Sequence, residues 1–335
     1  MGNCCGKVEI HEKEKVRKHL ELMLKIQLNE EEDEIYKVYE LSDKRLAVEL
    51  ENCIKIYSLE TFQLMTEINH KKINKSIELK NKDIAITDYD TVYFYKLSGN
   101  NYSNYLKLKE KYKNIFAIYE LKNENLILSI SHCLMLYSKG KENYIFLSKF
   151  ELTETVVKIL EIKNNVLFLF LVSKSGTFAT ADYSPYLLEL LDTEKKVSVH
   201  LDGGSYSYYN DDSNIVGCNL LIKNNKYLYV RYAGKFCIYD IQKENPKEMK
   251  IIYKINNRIN VDDFPLDFEC LCDYDHESFI IIPSGEIYKY DESANKIIKK
   301  EKFNIEIENL IDIIKLKNNN FVAHNKHEIF IINKN

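Results

Sequence analysis

Residues 35–59 read IYKVYELSDKRLAVELENCIKIYSL, three short segments separated by the polar connections SDK and EN. Within each segment apolar and polar side chains alternate, and Val, Ile, Leu and Tyr dominate the apolar positions. An alternation with period two in residues of high β-propensity is typical of β-strands. The stretch therefore predicts three consecutive β-strands joined by short turns.

This pattern recurs along the chain. The last residue before the first turn of each copy is, in order, Leu41, Leu79, Leu121, Ile162, Ile222, Cys272 and Leu316, with spacings of 38, 42, 41, 60, 50 and 44 residues. A fourth alternating run follows the third segment in each of the first six copies. Four strands in about 40–45 residues is the period of a β-propeller blade. The sequence therefore predicts an all-β, seven-bladed β-propeller, with two separate β-domains as the alternative.

The seventh copy stops after its third strand, at Asn335, so its outer strand must come from elsewhere in the chain. Residues 19–28, HLELMLKIQL, place Leu or Ile at every second position from Leu20 to Leu28. A helix over 12–28 is the other interpretation, but the period of two favours a strand. We expect this strand to complete the seventh blade and close the ring, which removes exposed sheet edges. The chain then divides into an N-terminal segment, 1–18, and a propeller, 19–335.

Across residues 20–335 the chain resembles the WD-repeat β-propellers. The Trp-Asp pair that ends the third strand in that family is approximated by Tyr239-Asp240 and Tyr290-Asp291. The Gly-His dipeptide of the family is missing, and the chain contains no Trp. The resemblance therefore implies the strand order and the blade count, and the family's stapling hydrogen bonds are not carried over to residues of this chain.

The first seven residues, MGNCCGK, resemble the dual-acylation signal of myristoylated and palmitoylated proteins. The resemblance implies a myristoyl amide on Gly2 and palmitoyl thioesters on Cys4 and Cys5, although Gly6 stands where Ser or Thr is preferred. One myristoyl chain binds membranes only marginally, whereas a second acyl chain makes anchoring stable. The alternative is a Met-Gly start followed by two idle cysteines. We expect a cytoplasmic, lipid-anchored peripheral membrane protein.

Composition excludes several other classes. A net charge of −4 lacks the positive field of nucleic-acid-binding proteins. The longest apolar run, VLFLFLV at 166–172, has the length of a strand and not of a membrane span. Eight scattered cysteines fit free thiols in a reducing cytosol better than a disulfide framework.

Propeller function resides in the loops. The first-to-second and third-to-fourth strand turns share one face of the ring, the bottom face, and the other connections share the top face. The extra length of this chain falls in three top-face connections, 173–185, 202–214 and 256–267, of which the first two are expected to be neighbours in space. Tyr beside acidic residues suits a protein-binding rim, for which we select Phe178, Tyr183, Tyr206, Tyr208, Tyr209, Asp211, Asp212, Asp262, Asp263 and Phe264. The alternative is polar loops that reflect the 25 Tyr of the chain.

The bottom-face turns are rich in lysine: Lys80, Lys82, Lys122, Lys163, Lys223, Lys226, Lys315 and Lys317. Outer strands run from bottom to top, so the N-terminal segment is expected to emerge on this face. Lysines near an anionic leaflet favour binding, which leads to the hypothesis that the propeller sits on the membrane with its bottom face down. The alternative is a set of solvated lysines offset by Asp43, Asp83, Glu124 and the acidic run 30–34.

No catalytic or metal-binding constellation emerges from the sequence. His324 and His327 have no further ligand at metal spacing, Cys270 and Cys272 alternate onto one strand face, and no Gly-rich phosphate loop is present. We expect no cofactor, no small-molecule substrate and no enzyme activity. The expected function is a membrane-anchored scaffold that binds protein partners. The alternative is a peripheral propeller that binds lipid head groups, although the Phe-Arg-Arg-Gly motif of phosphoinositide-binding propellers is absent.

Overall fold

The computed structural model describes residues 8–9, 20–28, 34–99, 101–109, 114–152, 154–164, 166–175, 180–190, 196–200, 207–209, 219–232, 235–243, 248–256, 264, 270–282, 284–302 and 307–334. The regular structure in these ranges is β-strand throughout. Within them, no helix has the length and apolar character that crossing a bilayer requires.

The described strands form seven antiparallel sheets, each of which is one blade. The chain begins with β1 (Val8–Glu9) and β2 (Leu20–Gln27). Blade one contains β3 (Lys37–Glu40), β4 (Arg45–Glu49), β5 (Cys53–Ser58) and β6 (Leu64–Asn69). Blade two contains β7 (Lys75–Glu78), β8 (Ile84–Thr87), β9 (Thr91–Ser98) and β10 (Asn101–Lys109). Blade three contains β11 (Ile115–Glu120), β12 (Leu126–Ile130), β13 (Cys133–Lys139) and β14 (Tyr144–Glu151).

Blade four contains β15 (Thr155–Lys163), β16 (Val166–Ser175), β17 (Thr180–Leu190), β18 (Lys196–His200) and the short β19 (Ser207–Tyr209). Blade five contains β20 (Asn219–Lys223), β21 (Tyr227–Tyr232), β22 (Lys235–Asp240) and β23 (Lys250–Asn256). Blade six contains β24 (Cys270–Asp273), β25 (Ser278–Ile282), β26 (Glu286–Asp291) and β27 (Lys296–Lys302). Blade seven joins β28 (Asp312–Lys315), β29 (Phe321–His324) and β30 (Glu328–Lys334) to β2 and β1.

The core is divided among the junctions between blades. One apolar cluster lies between each pair of consecutive blades from one to seven. A further cluster packs blade seven against blade one and closes the ring. Because each blade has a neighbour on both faces, second strands such as Arg45–Glu49 are buried at every residue. Burial of both faces supplies the hydrophobic driving force for a ring of short strands, and the predicted all-β propeller is confirmed.

The N-terminal strand completes blade seven as the sequence predicts. β2 pairs antiparallel with β30, with Leu20 opposite Lys334 and Gln27 opposite Glu328. Leu24, Ile26 and Leu28 are buried in the cluster between blades seven and one. The strand interpretation is therefore correct, and the helix alternative is wrong over Leu20–Gln27, the part of 12–28 that the structure shows in a strand.

A second N-terminal strand was not expected. β1 pairs with the free edge of β2, with Val8 opposite Ile26 and Glu9 opposite Lys25. The outer edge of β2 offers unpaired backbone groups, which explains why two more residues add to it. The chain does enter β2 from the bottom face, but β1 places Val8 beside the upper half of that strand instead of at the bottom.

The described outer strand of each blade except blade four contains a β-bulge, a position where two residues of one strand oppose one residue of the partner strand. In blade one the ladder steps from Leu64 to Thr66 and leaves Met65 out of register. In blades one, two, three and five the bulge lies opposite a Tyr in the lower half of the third strand, and in blade seven it lies at the matching height. The residues on these five bulges are Met65, Tyr105, Leu147, Ile252 and Met23, and blade six has Lys300 on a bulge two residues higher.

Candidate functional site

Blade four carries a hairpin that is longer than its counterparts. β16 has 10 residues and β17 has 11, and their ladder runs from Val166 opposite Glu189 to Ser175 opposite Thr180. The expected loop over 173–185 is therefore wrong for most of its length. The ladder continues because a paired hairpin satisfies the backbone donors and acceptors that a loop leaves to water.

The second insertion joins the same hairpin through β19. This strand pairs with the upper end of β17, with Thr180 opposite Tyr209 and Asp182 opposite Ser207. The lower end of β17 pairs with the outer strand β18. The predicted proximity of the two insertions is therefore confirmed, and they form a three-stranded unit, β16–β17–β19, which we call the blade-four extension.

The rim residues selected from the sequence fall in different places. The backbone of Tyr183 lies in β17, and the backbones of Tyr208 and Tyr209 lie in β19, so the extension brings these three together. Six others lie outside the described residues: Phe178, Tyr206, Asp211, Asp212, Asp262 and Asp263. Gly2, Cys4 and Cys5, the predicted acylation sites, also lie outside them.

Phe264 is placed in the core and not on an exposed rim. Its ring is 8% exposed and packs at centroid distances of 5.1 Å from Phe236 and 4.9 Å from Tyr288. Burying a large aromatic ring is favourable. The buried ring therefore holds the connection between blades five and six against the core. Phe264 is not the exposed partner-binding residue that the sequence predicted.

The bottom-face turns are tied together by carboxylates that the sequence analysis missed. In four blades a Glu stands two residues before the first turn, directly before the Leu or Ile that ends the inner-strand segment. Its carboxylate accepts a hydrogen bond from a backbone N–H in the bottom turn of the preceding blade. We call this contact the interblade latch: Glu78 with Ser42 (2.7 Å), Glu120 with Lys80 (2.7 Å), Glu161 with Lys122 (2.6 Å) and Glu40 with Lys317 (2.7 Å). The sequence contained a sign of this contact, because four of the seven repeat copies have a Glu at the same position.

The same turns are less cationic than their lysine content indicates. Lys223 is 3% exposed, and its ammonium hydrogen-bonds the Asp273 carboxylate and the Ser278 carbonyl oxygen (3.0 Å). Lys315 binds the other oxygen of Asp273 at 3.0 Å, and Lys226 pairs with Glu292 at 2.7 Å. Three of the eight turn lysines therefore have a carboxylate partner.

A cavity of about 500 Å³ opens at the lower ends of the inner strands of blades five, six and seven. Leu221 and Leu271 line it at the positions where blades one to four have a latch Glu. The Asp273 carboxylate in its wall is paired with Lys223 and Lys315. The cavity is thus mainly an apolar recess whose one carboxylate, that of Asp273, is shared by two lysines.

The upper ends of the inner strands of blades six and seven hold a buried polar pair. The Cys270 thiol donates to the Asp312 carboxylate at 2.6 Å. Burial first, and then the negative charge of Asp312, raises the pKa of this thiol well above its usual value. A protonated thiol is a poor nucleophile, which agrees with a structural role for Cys270.

His324 lies next to this pair, opposite Asp312 in the β28–β29 ladder. Its imidazole is 2% exposed, and burial lowers its pKa. Among the residues that the structure describes, no three His, Cys, Asp or Glu side chains are placed to hold a metal ion.

No protein-family model and no curated protein matches the chain. Its fold is similar to that of U3-55K (TM-score 0.63, 8% identity, 94% of this chain and 98% of that chain). It is also similar to a streptogramin B lyase (TM-score 0.60, 12% identity, 95% and 98%) and to the β-propeller domain of Swd1 from Myceliophteria thermophila (TM-score 0.57, 11% identity, 89% and 96%). U3-55K and Swd1 are WD40 propellers, so the fold implied by the WD-repeat resemblance is confirmed.

Proposed function

We propose that this protein is a lipid-anchored, non-catalytic scaffold that binds protein partners at the cytosolic face of a membrane. The observation that carries the recognition role is the pairing of β19 with β17, which joins two insertions into the blade-four extension. A surface held by a strand ladder loses less conformational entropy on binding than a free loop does. The extension therefore suits recognition.

The chemistry of the extension favours a protein partner. Tyr183, Tyr208 and Tyr209 lie in its strands, and Tyr is enriched in binding hot spots because it is both apolar and able to hydrogen-bond. Asp211 and Asp212 follow β19 in the sequence. We propose that the partner presents a basic surface, since complementary charge speeds encounter and fixes orientation.

Anchoring supplies the second half of the mechanism. Acyl chains on Gly2, Cys4 and Cys5 confine the propeller to a membrane, and confinement raises the effective concentration of a partner on the same membrane without any new contact. A binding site of modest affinity is then sufficient.

Membrane partition of the full chain tests the anchor. The wild-type protein, Gly2→Ala and Cys4→Ser/Cys5→Ser are expressed in a eukaryotic cell and separated by sedimentation. We expect the wild-type protein in the membrane fraction and both variants in the supernatant. Cys4→Ser/Cys5→Ser keeps a single acyl chain, which binds only marginally, and Gly2→Ala loses the myristoyl chain that first brings Cys4 and Cys5 to the membrane where they are palmitoylated. Equal solubility of all three would overturn the anchor.

Proximity labelling by a fused biotin ligase tests the recognition role. We expect Tyr208→Ala/Tyr209→Ala to lose the proteins that the wild type enriches. The matched control is Tyr36→Ala/Tyr89→Ala, which removes two top-face tyrosines of blades one and two that are 59% and 55% exposed. Identical partner sets for the two double variants would contradict recognition by the blade-four extension.

A further inference from the structure

Large apolar side chains are exposed at or beside the bulge of the outer strand in four consecutive blades, and in blade six Ile298 is 37% exposed while the bulge residue is Lys300. Among the described residues their exposed fractions run from 37% to 54%: Leu22 and Met23 in blade seven, Leu64 and Met65 in blade one, Tyr105 in blade two, and Ile145, Phe146 and Leu147 in blade three. The bulge residue of each of these blades belongs to the set. These side chains therefore lie at one height around the ring.

A bulge changes what an outer strand offers to a partner. It interrupts the row of backbone groups and twists the strand, so that another strand pairs with it less readily. At the bulge residues Met23 and Met65, which are 48% and 37% exposed, these two edges present apolar side chains, and the ladder between β1 and β2 lies above the bulge of blade seven. Exposed apolar clusters of this kind mark contact surfaces for proteins or membranes.

The N-terminus indicates the occupant for two of the four blades. β1 lies on the outer edge of blade seven, where Val8 is opposite Ile26, three residues along β2 from Met23. Gly2 lies six positions before Val8, so an extended chain spans at most about 20 Å between them. An acyl chain on Gly2 is therefore tethered beside the apolar edges of blades seven and one.

We propose that the outer edges of blades seven and one, formed by Leu22, Met23, Leu64 and Met65, rest on the lipid bilayer when the acylated N-terminus is inserted. This inference rests on the proposed acylation of Gly2. Leu and Met side chains enter the boundary between head groups and acyl chains favourably. Lys44 and Met65 line a groove of about 300 Å³ in which Asp43 and Glu60 offset the charges of Lys44 and Arg45, so the contact with lipid rests on the apolar side chains.

The arrangement of the ring sets the resulting orientation. Consecutive blades of a seven-bladed ring are about 51° apart, so a flat surface touches two neighbouring outer edges at a time. Blade four lies opposite the junction of blades seven and one. Blades one, two and three lie between them on one side of the ring, and blades five, six and seven lie between them on the other. The propeller stands on its edge, and the blade-four extension points away from the membrane.

Vesicle sedimentation of the myristoylated full chain tests this orientation, with vesicles of phosphatidylcholine and phosphatidylserine in a 4:1 ratio. Met23→Glu/Met65→Glu is compared with Phe146→Glu/Leu147→Glu on blade three. The second pair matches the first in exposure (50% and 37% against 48% and 37%) and in added charge. We expect the blade seven and one variant to bind at least tenfold more weakly than the wild type, and the blade-three variant to stay within twofold.

Two outcomes would overturn the proposal. Equal losses in both variants would mean that added charge alone weakens binding, and no loss in either would mean that these edges do not touch lipid. Loss of a concentration-dependent dimer in Met23→Glu/Met65→Glu, with vesicle binding intact, would assign the edge to a second copy of the chain.

The same comparison in a Gly2→Ala background separates this proposal from the proposed anchor. A retained tenfold ratio, with wild-type protein that is soluble in cells, would support the lipid-contacting edge and reject the anchor. Strong membrane partition in cells with no effect of Met23→Glu/Met65→Glu would support the anchor and reject the edge.

Discussion

Glu78 of blade two accepts two hydrogen bonds from Ser42 of blade one, one from its backbone N–H at 2.7 Å and one from its hydroxyl at 2.8 Å. Burial raises the pKa of Glu78, although the hydrogen bonds from Ser42 act against that shift. The contact joins the inner strand of one blade to the bottom turn of the preceding blade. In a chain without Trp, interblade latches of this kind hold neighbouring blades in register.

Glu78→Gln is expected to lower the free energy of unfolding by about 1 kcal/mol, because the amide nitrogen cannot accept a hydrogen bond and one Ser42 donor loses its partner. Chemical denaturation measures the change. The control is Glu67→Gln, an exposed position in β6 that is expected to change stability by less than about 0.5 kcal/mol. Equal effects of the two substitutions would show that the latch adds nothing to stability.

Ile26→Ala is expected to lower the free energy of unfolding by about 2–4 kcal/mol, since Ile26 is 6% exposed and packs between blades seven and one. Leu22→Ala removes a similar volume from the same strand at a position that is 44% exposed, and it is expected to cost less than about 1 kcal/mol. Denaturation curves of both variants give the comparison. A smaller cost at Ile26 than at Leu22 is incompatible with ring closure by β2.

The five cysteines that the structure describes are buried and form no disulfide: Cys53, Cys133, Cys237, Cys270 and Cys272. Burial raises the pKa of Cys270 and Cys272 well above the usual value for a thiol, and the thiolate is the reactive form. We therefore expect iodoacetamide at pH 8 to leave these five unmodified in the folded protein and to modify them in guanidinium. Peptide mass spectrometry measures the result, and rapid modification of Cys270 in the folded state contradicts it.

Stability is expected to fall between pH 7.5 and 5.5, in part through His324. Burial lowers the pKa of His324 from its ordinary value of 6.5, so folding favours the neutral imidazole. The stabilisation is complete above pH 6.5 and is lost as the pH falls toward the folded-state pKa, with a slope of at most about 1.4 kcal/mol per pH unit. His324→Asn is expected to flatten the pH dependence of the unfolding free energy.

The control for this pH dependence is His276→Asn, at an exposed turn of blade six. We expect this variant to keep the wild-type slope between pH 7.5 and 5.5. An unchanged slope in His324→Asn would show that protonation of His324 is not linked to unfolding.

The local pattern was sufficient to predict the strands, their repeat and the closing strand. Alternation with period two is a property of neighbouring residues, as in IYKVYEL at 35–41, and short Lys- and Asn-rich connections mark the turns. Closure by 19–28 followed from the missing fourth strand of the last copy. These features depend on residues that are close in the sequence, and a single chain displays them directly.

Only the tertiary structure decided which residues from different blades meet. The ring of Phe264 is buried because Phe236 and Tyr288 approach it from blades five and six, and Glu78 finds Ser42, 36 residues away. β19 pairs with the top of β17 because the outer strand β18 pairs with the lower end of β17 and leaves the top available. Both faces of each blade are covered by neighbours, so burial and hydrogen bonding at a given residue depend on partners that belong to another blade and are distant in the sequence.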